Sequence, residues 1–375
     1  MGCSSGLSRP PAMSQRRRPA YILGGVQFSC LTSSCDGYAA QEGCACELEV
    51  AAKHQVGCTA PMRRTPTWIL SILIVVSAAA CESAAPPPKV ADDSADLAFI
   101  RLDPTLVKGF SAPDTVVHLA GEDVYLVSNI NGDPFDGKKD NGFISKVSPE
   151  GKVLDLKWID GATEEHILNA PKGMVLTEGR LYVADIDTVR VFDLKDRRSI
   201  GRFKIPNATD LNAMTADADG SVYVSNSGMK KGENGLEPTG KDSVYSLSRF
   251  GSIRKIASGE DLNHPSGLAA DAKGVWVVTQ NAKQVFHISK WGKREKPNEM
   301  PEDGLEAAVR LRDGRLLVSV PDKGLILSGW PASGFRVALD KIDGPSGIGY
   351  DFARESLLVP LAASNQLLIQ PLGEL

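Results

Sequence analysis

Residues 171–183, Pro-Lys-Gly-Met-Val-Leu-Thr-Glu-Gly-Arg-Leu-Tyr-Val, contain one copy of the pattern that decides the fold. A three-residue motif begins an apolar strand, a polar turn with a glycine follows, and a second strand rich in β-branched and aromatic residues comes next. Glycine supplies the positive φ angle that a tight hairpin turn requires. Short runs of this composition fit half-buried β-strands better than helices. The stretch therefore predicts a β-hairpin.

This pattern occurs six times in the chain. The middle residues of the six motifs lie 58, 40, 54, 40 and 40 residues apart, so a unit of about 40 residues is interrupted by two insertions. Self-similarity at this period indicates the blades of a β-propeller. The six motifs are Pro113-Asp114-Thr115, Pro171-Lys172-Gly173, Leu211-Asn212-Ala213, Pro265-Ser266-Gly267, Leu305-Glu306-Ala307 and Pro345-Ser346-Gly347.

The last unit needs a strand from elsewhere in the chain. Third and fourth strands can be recognised in most units, but the sixth has no room for a fourth strand before Leu375. The unpaired early strand from Leu97 to Leu102 is expected to supply it, which would close the ring and remove an exposed sheet edge. We therefore expect an all-β fold, a six-bladed β-propeller over about residues 95–375 whose last blade is closed by an N-terminal strand.

The segment before the propeller contains all seven cysteines, at positions 3, 30, 35, 44, 46, 58 and 81. Thiolate chemistry and disulfides are therefore excluded from the folded domain. Residues 62–80 combine two early arginines, an apolar run and small residues before Cys81, which is typical of a secretory signal. Small residues directly before a single cysteine resemble a bacterial lipoprotein signal. That resemblance implies cleavage before Cys81 and attachment of lipid to it.

This interpretation divides the chain into four parts. Residues 1–61 are expected to be a spurious upstream translation or a disordered leader, and residues 62–80 a lipoprotein signal peptide. Residues 81–94 are expected to be a flexible tether and residues 95–375 the propeller. An uncleaved membrane anchor is the alternative for the apolar run. The expected location is the bacterial cell envelope, as a periplasmic or surface lipoprotein held to the membrane through Cys81.

The charge of the chain excludes one class of partner. The segment up to Cys81 contains seven basic and four acidic residues, and the whole chain has a net charge of −4, so the part after Cys81 has a net charge of −7. Nucleic-acid binding favours a basic surface. No nucleic-acid partner is therefore expected.

The middle residues of the motifs predict where chemistry could occur. The inner strand of each blade lines the central channel of a propeller, so the residues at the start of these strands surround one mouth of the channel. Polar side chains that converge on one axis form the best candidate site. We call these residues the axial ring: Asp114, Lys172, Asn212, Ser266, Glu306 and Ser346.

Both insertions fall between the second and third strands of their units, on the same face as the axial ring. The first follows Asn129 and includes Asn131, and the second runs from Asn226 to Asp242. Long loops on one face of a repeat fold usually shape a binding surface. Asn129, Asn131, Asn226 and the ring residue Ser346 are therefore candidates for binding a substrate. Solvated decoration without a direct role is the alternative for any single loop residue.

With these motifs the propeller resembles the gluconolactonase and regucalcin family of six-bladed propellers. The resemblance implies a divalent cation, often calcium, held by an acidic residue in the first blade, an asparagine in the third and an aspartate in the fourth. Those positions hold Asp114, Asn212 and Ser266 in this sequence. The family also has an Asn-Asp pair in the second blade, where this chain has Pro171 and Lys172.

These departures leave the metal site and the chemistry open. An ammonium beside the axis opposes a bound cation, and hard cations need several oxygen ligands. Glu306 is the candidate to complete a metal site with Asp114 and Asn212, or it pairs with Lys172 in a metal-free polar plug. The candidates for catalysis are Lys172, Ser266 at the position of the family's general base, and His264, which precedes the fourth motif.

Two functions are compatible with this sequence. One is a hydrolase of a lactone or small ester, in which calcium or another divalent cation polarises the carbonyl and activates water. The other is a non-enzymatic propeller with a degenerate metal site, which binds a small molecule or a protein partner at the channel mouth. The first predicts that calcium raises the thermal midpoint, and the second predicts that chelation changes nothing.

Overall fold

A computed structural model describes residues 103–372 of the chain. These residues form 26 β-strands and two single-turn 3-10 helices, Glu260–Leu262 and Pro321–Lys323. No helix in this part of the chain is long and apolar enough to cross a membrane. The all-β prediction is therefore confirmed here, whereas the predictions for the leader, the signal peptide, Cys81 and the tether lie outside the described residues.

The strands are short and follow one another with few interruptions. In chain order they are β1 (Thr105–Lys108), β2 (Pro113–Leu119), β3 (Val124–Asn129), β4 (Phe143–Val147), β5 (Val153–Asp160), β6 (Pro171–Thr177), β7 (Arg180–Asp185), β8 (Thr188–Asp193), β9 (Ser199–Lys204), β10 (Leu211–Ala216), β11 (Val222–Asn226), β12 (Met229–Gly232), β13 (Gly235–Pro238), β14 (Ser243–Leu247), β15 (Ile253–Ser258), β16 (Pro265–Ala270), β17 (Gly274–Thr279), β18 (Gln284–Ser289), β19 (Asn298–Glu299), β20 (Ala308–Arg310), β21 (Leu316–Val320), β22 (Leu325–Trp330), β23 (Gly334–Leu339), β24 (Gly349–Asp351), β25 (Ser356–Leu361) and β26 (Gln366–Pro371).

Six four-stranded antiparallel sheets correspond to the six predicted blades. Blades 1 and 2 consist of β2 to β5 and β6 to β9. Blade 3 consists of β10, β11, β14 and β15, because the hairpin β12–β13 lies within the second insertion. Blades 4 and 5 are β16 to β19 and β20 to β23, and blade 6 has the order β24-β25-β26-β1. The prediction of six blades is therefore confirmed.

The N-terminal strand β1 closes the last blade. Thr105 to Lys108 pair in antiparallel register with Ile369 to Gln366 of β26. Val107 is buried in the cluster between blades 6 and 1, against Leu358 and Leu367. Closure by an N-terminal strand is therefore confirmed, but Thr105–Lys108 supplies it. The predicted strand, Leu97 to Leu102, lies outside the described residues.

The hydrophobic core consists of six clusters, one between each pair of neighbouring blades. Val191 of blade 2 and Val224 of blade 3 share one of them, and Ile326 of blade 5 and Leu357 of blade 6 share another. The middle strands of a blade therefore bury side chains on both faces, which explains their near-continuous β-branched and aliphatic composition.

Three of the six blade junctions depend on a glycine at the third position of the motif. A Cβ atom added at Gly173 would lie 2.2 Å from the carbonyl oxygen of Asn212, and one at Gly347 would lie 2.6 Å from that of Asp114. A Cβ atom added at Gly267 would lie 2.7 Å from the backbone of Ala307, which directly precedes the inner strand of blade 5. Real Cβ atoms do not approach backbone this closely, so only glycine lets these neighbouring inner strands meet.

The other three junctions have a buried serine hydroxyl group instead. Each Oγ atom accepts a hydrogen bond from the inner strand of its own blade and donates one to a motif carbonyl of the next blade. The donated bonds are Ser128 to Lys172 (2.8 Å), Ser225 to Ser266 (3.0 Å) and Ser319 to Ser346 (2.8 Å). Hydroxyl-bridged and glycine junctions therefore alternate around the ring.

Candidate functional site: the mouth of the central channel

A small cavity, which we call the axial cavity, lies on the channel axis. Residues at or just before the inner strands of all six blades line it, and its polar side chains are Asp114, Thr115, Asn212 and Glu306. Its volume is about 40 Å³, which gives room for a small ion or a few water molecules. The three residues that the sequence suggests as metal ligands therefore meet at one place.

Lys172 forms an ion pair that the sequence did not suggest. Its Nζ atom lies 2.6 Å from Oδ1 of Asp210, and both side chains are about nine-tenths buried. The other oxygen of Asp210 accepts a hydrogen bond from Ser227 at 2.7 Å. Burial opposes the charged form of Lys172, but the carboxylates of Asp210 and Asp114 outweigh it and raise the pKa of the ammonium group. Lys172 therefore stays charged, and it does not pair with Glu306.

Asp114 has the most strongly perturbed carboxyl group at the mouth. Burial raises its pKa from 3.8 to about 7, and the Glu306 carboxylate contributes to the rise, whereas the Lys172 ammonium opposes it. The Thr115 hydroxyl donates a hydrogen bond to Asp114 at 3.0 Å. A buried carboxyl group whose pKa lies near neutrality is a candidate for a functional role.

Glu306 accepts two hydrogen bonds from amide side chains. Asn212 Nδ2 donates to Oε1 at 3.1 Å, and Gln280 Nε2 donates to Oε2 at 2.6 Å. Gln280 follows the end of β17, and the sequence interpretation missed it. These two bonds hold the Glu306 carboxylate beside the axial cavity without a basic partner.

Ser266 and His264 make hydrogen bonds to the protein scaffold. Ser266 is fully buried, and its hydroxyl donates to the carbonyl oxygen of Leu305 at 2.6 Å. His264 Nδ1 lies 2.8 Å from the carbonyl oxygen of Ser227, and its backbone N–H donates to Asp242 at 2.7 Å. The structure therefore places Asp114, Asn212 and Glu306 at the cavity and turns Ser266 towards blade 5.

The predicted substrate-binding asparagines hold the loops of the mouth in place. Asn129 accepts a hydrogen bond from the backbone N–H of Ser111 at 2.9 Å. Asn226 accepts bonds from the backbone N–H groups of Thr209 and Asp210, both at 3.0 Å. Asn226 thereby positions the carboxylate that pairs with Lys172.

The remaining two candidates differ in their surroundings. Asn131 lies inside the first insertion, where it exchanges hydrogen bonds with Asn141 at 2.8 and 2.6 Å. Ser346 is 9 % exposed, and its backbone accepts the Ser319 hydroxyl bond of the junction between blades 5 and 6.

The two insertions contact each other above the mouth. Lys231, in the hairpin β12–β13 of the second insertion, lies 2.6 Å from both Asp133 and Asp136 of the first. Phe135 lies between Asp133 and Asp136 in the sequence, and its ring is 5.3 Å from the Lys172 ammonium group. We call these joined segments, 130–141 and 227–242, the cover. The predicted second insertion is therefore a hairpin, and it is tied to the first.

A separate group of potential metal ligands lies where blades 1 and 6 meet. His118, Asp123 and Asp351 place ligand atoms within 4.8 Å of one another. Arg354 contacts both acids, with bonds of 2.7 and 2.6 Å to Asp123 and 3.0 Å to Asp351. These bonds hold the pKa of Asp123 at about 2. The guanidinium group therefore already supplies the positive charge that these carboxylates need.

No family model and no curated protein matches this sequence. Solved structures do match. A gluconolactonase from Xanthomonas campestris has a TM-score of 0.54 and 16 % identity, over 72 % of this chain and 91 % of that one. A luciferin-regenerating enzyme has a TM-score of 0.52 and 13 % identity, over 72 % of this chain and 96 % of that one. At these identities the likeness extends to the fold. The chain is therefore a six-bladed β-propeller whose fold is similar to the folds of these two structures.

Proposed function

We propose that the axial cavity binds one divalent cation, and that the propeller uses this site to bind and hydrolyse a lactone or small ester at the channel mouth. The observation that carries the proposal is that Asp114, Asn212 and Glu306 line one small cavity of about 40 Å³. Carboxylate and amide oxygens are the ligands that hard cations such as calcium prefer.

The charges around the cavity fit such a cation. The negative charge of Asp210 balances the positive charge of Lys172. The Lys172 ammonium group therefore opposes a bound cation less than its position in the sequence suggests. Asp114 accepts a bond from a hydroxyl group and Glu306 accepts bonds from two neutral amides. Among the described residues neither carboxylate has an ion pair of its own. A divalent cation would relieve the repulsion that helps to raise the pKa of Asp114.

Three protein oxygens make a modest site. Calcium takes about six to eight oxygen ligands, so water or a ligand would have to complete the shell. The expected dissociation constant is therefore on the order of 10⁻⁴ to 10⁻³ M, as in weak extracellular calcium modules.

Lys172 is suited to bind an oxygen atom of the ligand. An ammonium group has three N–H donors, and the described residues show one hydrogen bond from it, to Asp210. The remaining donors can meet a carbonyl or ring oxygen at the mouth, beside the ring of Phe135. A bound cation would itself supply polarisation of a carbonyl group and a more acidic water molecule.

A non-enzymatic ligand-binding propeller is the second candidate. The engagement of Ser266 and His264 with the scaffold favours it, because neither side chain is then placed to act as a general base. In this case the Asn212–Glu306–Gln280 bonds complete the ring without a metal, and a ligand binds to Lys172 under the cover.

Calcium titration followed by a lactone panel tests both candidates. At calcium concentrations about ten times the dissociation constant, the expected stabilisation is about 1.4 kcal/mol, and Glu306→Gln should abolish it. A calcium-dependent rise with hydrolysis of a panel member supports the proposal. A rise without hydrolysis limits the function to cation-dependent binding. An unchanged thermal midpoint in calcium, together with ligand binding that survives chelation, leaves the second candidate.

We also propose that the mature chain is a cell-envelope lipoprotein attached through Cys81. The basic residues, apolar run and small residues of the segment 62–80 support this. Mass spectrometry of the membrane fraction should find lipid on Cys81 as the first residue. Cys81→Ala should move the protein to the soluble or uncleaved fraction, and an unlipidated mature chain would contradict the proposal.

A further inference from the structure

We propose that the propeller face opposite the mouth binds the surface of an anionic lipid bilayer. The contact residues belong to two connections between third and fourth strands, 248–252 in blade 3 and 290–297 in blade 4, which we call the membrane face. This proposal concerns a different surface from the axial cavity and does not depend on a bound cation.

Two aromatic side chains protrude from the membrane face. Phe250 is 82 % exposed and Trp291 is 86 % exposed, more than any other large hydrophobic residue of the described chain. A guanidinium group lies near each ring, Arg249 at 4.8 Å from Phe250 and Arg254 at 5.8 Å from Trp291. Aromatic rings beside basic groups suit the boundary between lipid headgroups and acyl chains.

The charge of these connections is opposite to that of the protein. They contain five basic residues and one acid, Glu295, whereas the chain after Cys81 has a net charge of −7. Lys290 and Arg294 pair with nearby aspartates, and Arg249 lies 3.8 Å from Glu178. Lys293 and Lys296 are exposed, and neither forms an ion pair with a described residue. Such lysines attract the negative surface of an anionic bilayer.

The described chain also begins at this face. β1 runs as the fourth strand of blade 6, and Thr105 is its first residue. A Cβ added at Gly151, in the third-to-fourth strand turn of blade 1, would lie 2.6 Å from Thr105 Cγ2. Thr105 is therefore on the side of the propeller that carries these turns. This indicates that the chain from a membrane-attached N-terminal segment would reach the propeller at the membrane face.

The length of the connecting chain permits contact with the membrane that holds the anchor. Thr105 lies 24 residues after Cys81, and a fully extended chain of that length spans at most about 80 Å. If Cys81 is lipidated, as proposed above, the same bilayer is within reach of Phe250 and Trp291. Binding in this orientation would direct the channel mouth away from the membrane.

Quenching of tryptophan fluorescence by brominated acyl chains tests the contact directly. The mature protein is mixed with vesicles of brominated phosphatidylcholine, with or without phosphatidylglycerol. We expect about a twofold loss of Trp291 emission with the anionic vesicles and little loss with the neutral ones. The difference between the parent protein and Trp291→Phe isolates the Trp291 signal, while an aromatic ring remains at that position.

Two matched variants distinguish the membrane face from general electrostatics. Lys293→Ser/Lys296→Ser should reduce the quenching at least twofold, whereas Lys230→Ser/Lys241→Ser, which removes two lysines from the cover, should not change it. Thermal midpoints verify that both variants fold. The proposal is overturned if anionic vesicles do not quench Trp291, if neutral vesicles quench it equally, or if both variants lose the same signal. Burial of Trp291 in a concentration-dependent dimer without vesicles would instead assign this face to a second copy of the chain.

Discussion

The ammonium of Lys172 lies 2.6 Å from Oδ1 of Asp210, and together they form a buried ion pair beside the channel axis. Asp210 is held in turn by the Ser227 hydroxyl group and by Asn226, which accepts its backbone N–H bond. In the sequence, the positive charge of Lys172 argues against a cation site at the axis. In the structure, the Asp210 carboxylate balances this charge. The carboxylates of Asp114 and Glu306 then determine what the axial cavity can bind.

Breaking this pair should be costly. Lys172→Met leaves the Asp210 carboxylate buried without its partner, and we expect the free energy of unfolding to fall by about 3–5 kcal/mol in urea titrations. The double variant Lys172→Met/Asp210→Asn should lose less than the sum of the single variants. Lys157→Met is the control, because Lys157 lies at the surface and its pair with Asp160 is only partly buried, so the pair should contribute about 1 kcal/mol or less. Equal losses for Lys172→Met and the control would contradict the buried pair.

Asp114 should make the cation-free protein less stable as the pH rises. Its carboxyl group has a pKa of 3.8 in an unperturbed setting and about 7 in the folded protein. Between these values the folded state retains a proton that the unfolded state has lost, so the free energy of unfolding falls from about pH 4 to pH 7. Asp114→Asn removes this ionisation and should stabilise the protein at pH 8 by an amount on the order of a few kcal/mol.

Thermal unfolding at pH 5 and pH 8 in a chelator measures the effect of Asp114. Asp303→Asn, at an exposed position, is the control and should leave the pH profile of the parent unchanged. Millimolar calcium should reduce the loss of stability at pH 8 in the parent protein but not in Asp114→Asn. A parent profile without any fall between pH 5 and pH 8 would show that Asp114 ionises normally.

Gly173→Ala tests the close approach of blades 2 and 3. The new methyl group would lie 2.2 Å from the Asn212 carbonyl oxygen, so the inner strands must separate. We expect a loss of at least about 3 kcal/mol in the free energy of unfolding. Gly121→Ala is the matched control, since a Cβ there meets nothing within 4 Å. If the two variants melt at the same temperature, the junction does not need glycine.

Lys231→Ser should release the cover without unfolding the blades. Lys231 joins the two insertions through Asp133 and Asp136, but its side chain is half exposed, so the change in stability should stay within about 1 kcal/mol. Amide hydrogen exchange of residues 132–141 should nevertheless become faster. Lys230→Ser, whose pair with Glu237 lies within one hairpin, should leave that exchange unchanged. Equal exchange in both variants would show that Lys231 does not hold the insertions together.

The fold was predictable from the sequence because each blade repeats the same local requirements. The motif, the glycine turn and the β-branched second strand recur with a period that only blades explain. Glu178 and Gly179, in the turn first quoted, do adopt the positive φ angles of a tight hairpin, 50° and 74°. Gly274 has a different role, because it is the first residue of β17, where a side chain would meet the Ile288 carbonyl oxygen.

The site was less predictable because its contacts cross from blade to blade. Asp210 lies only two positions before Asn212, yet its partner belongs to another blade, and no local pattern links it to Lys172. Gln280 likewise follows a strand in blade 4 and reaches Glu306 of blade 5. Ser266 has the sequence position of a ring member, but its hydroxyl group turns to the Leu305 carbonyl oxygen. Side-chain direction at the axis depends on which neighbour offers an acceptor.

The glycine junction between blades 6 and 1 links completion of the ring to the chemistry at its centre. Gly347 donates its backbone N–H to the Asp114 carbonyl oxygen at 2.7 Å, and its own carbonyl oxygen accepts from Val116 at 3.2 Å. The backbone that carries the Asp114 carboxylate in blade 1 is therefore held partly by blade 6, which is synthesised after the other five blades. A nascent or truncated chain with five blades would lack that support, so the cavity can take its final form only after the two ends of the propeller have met.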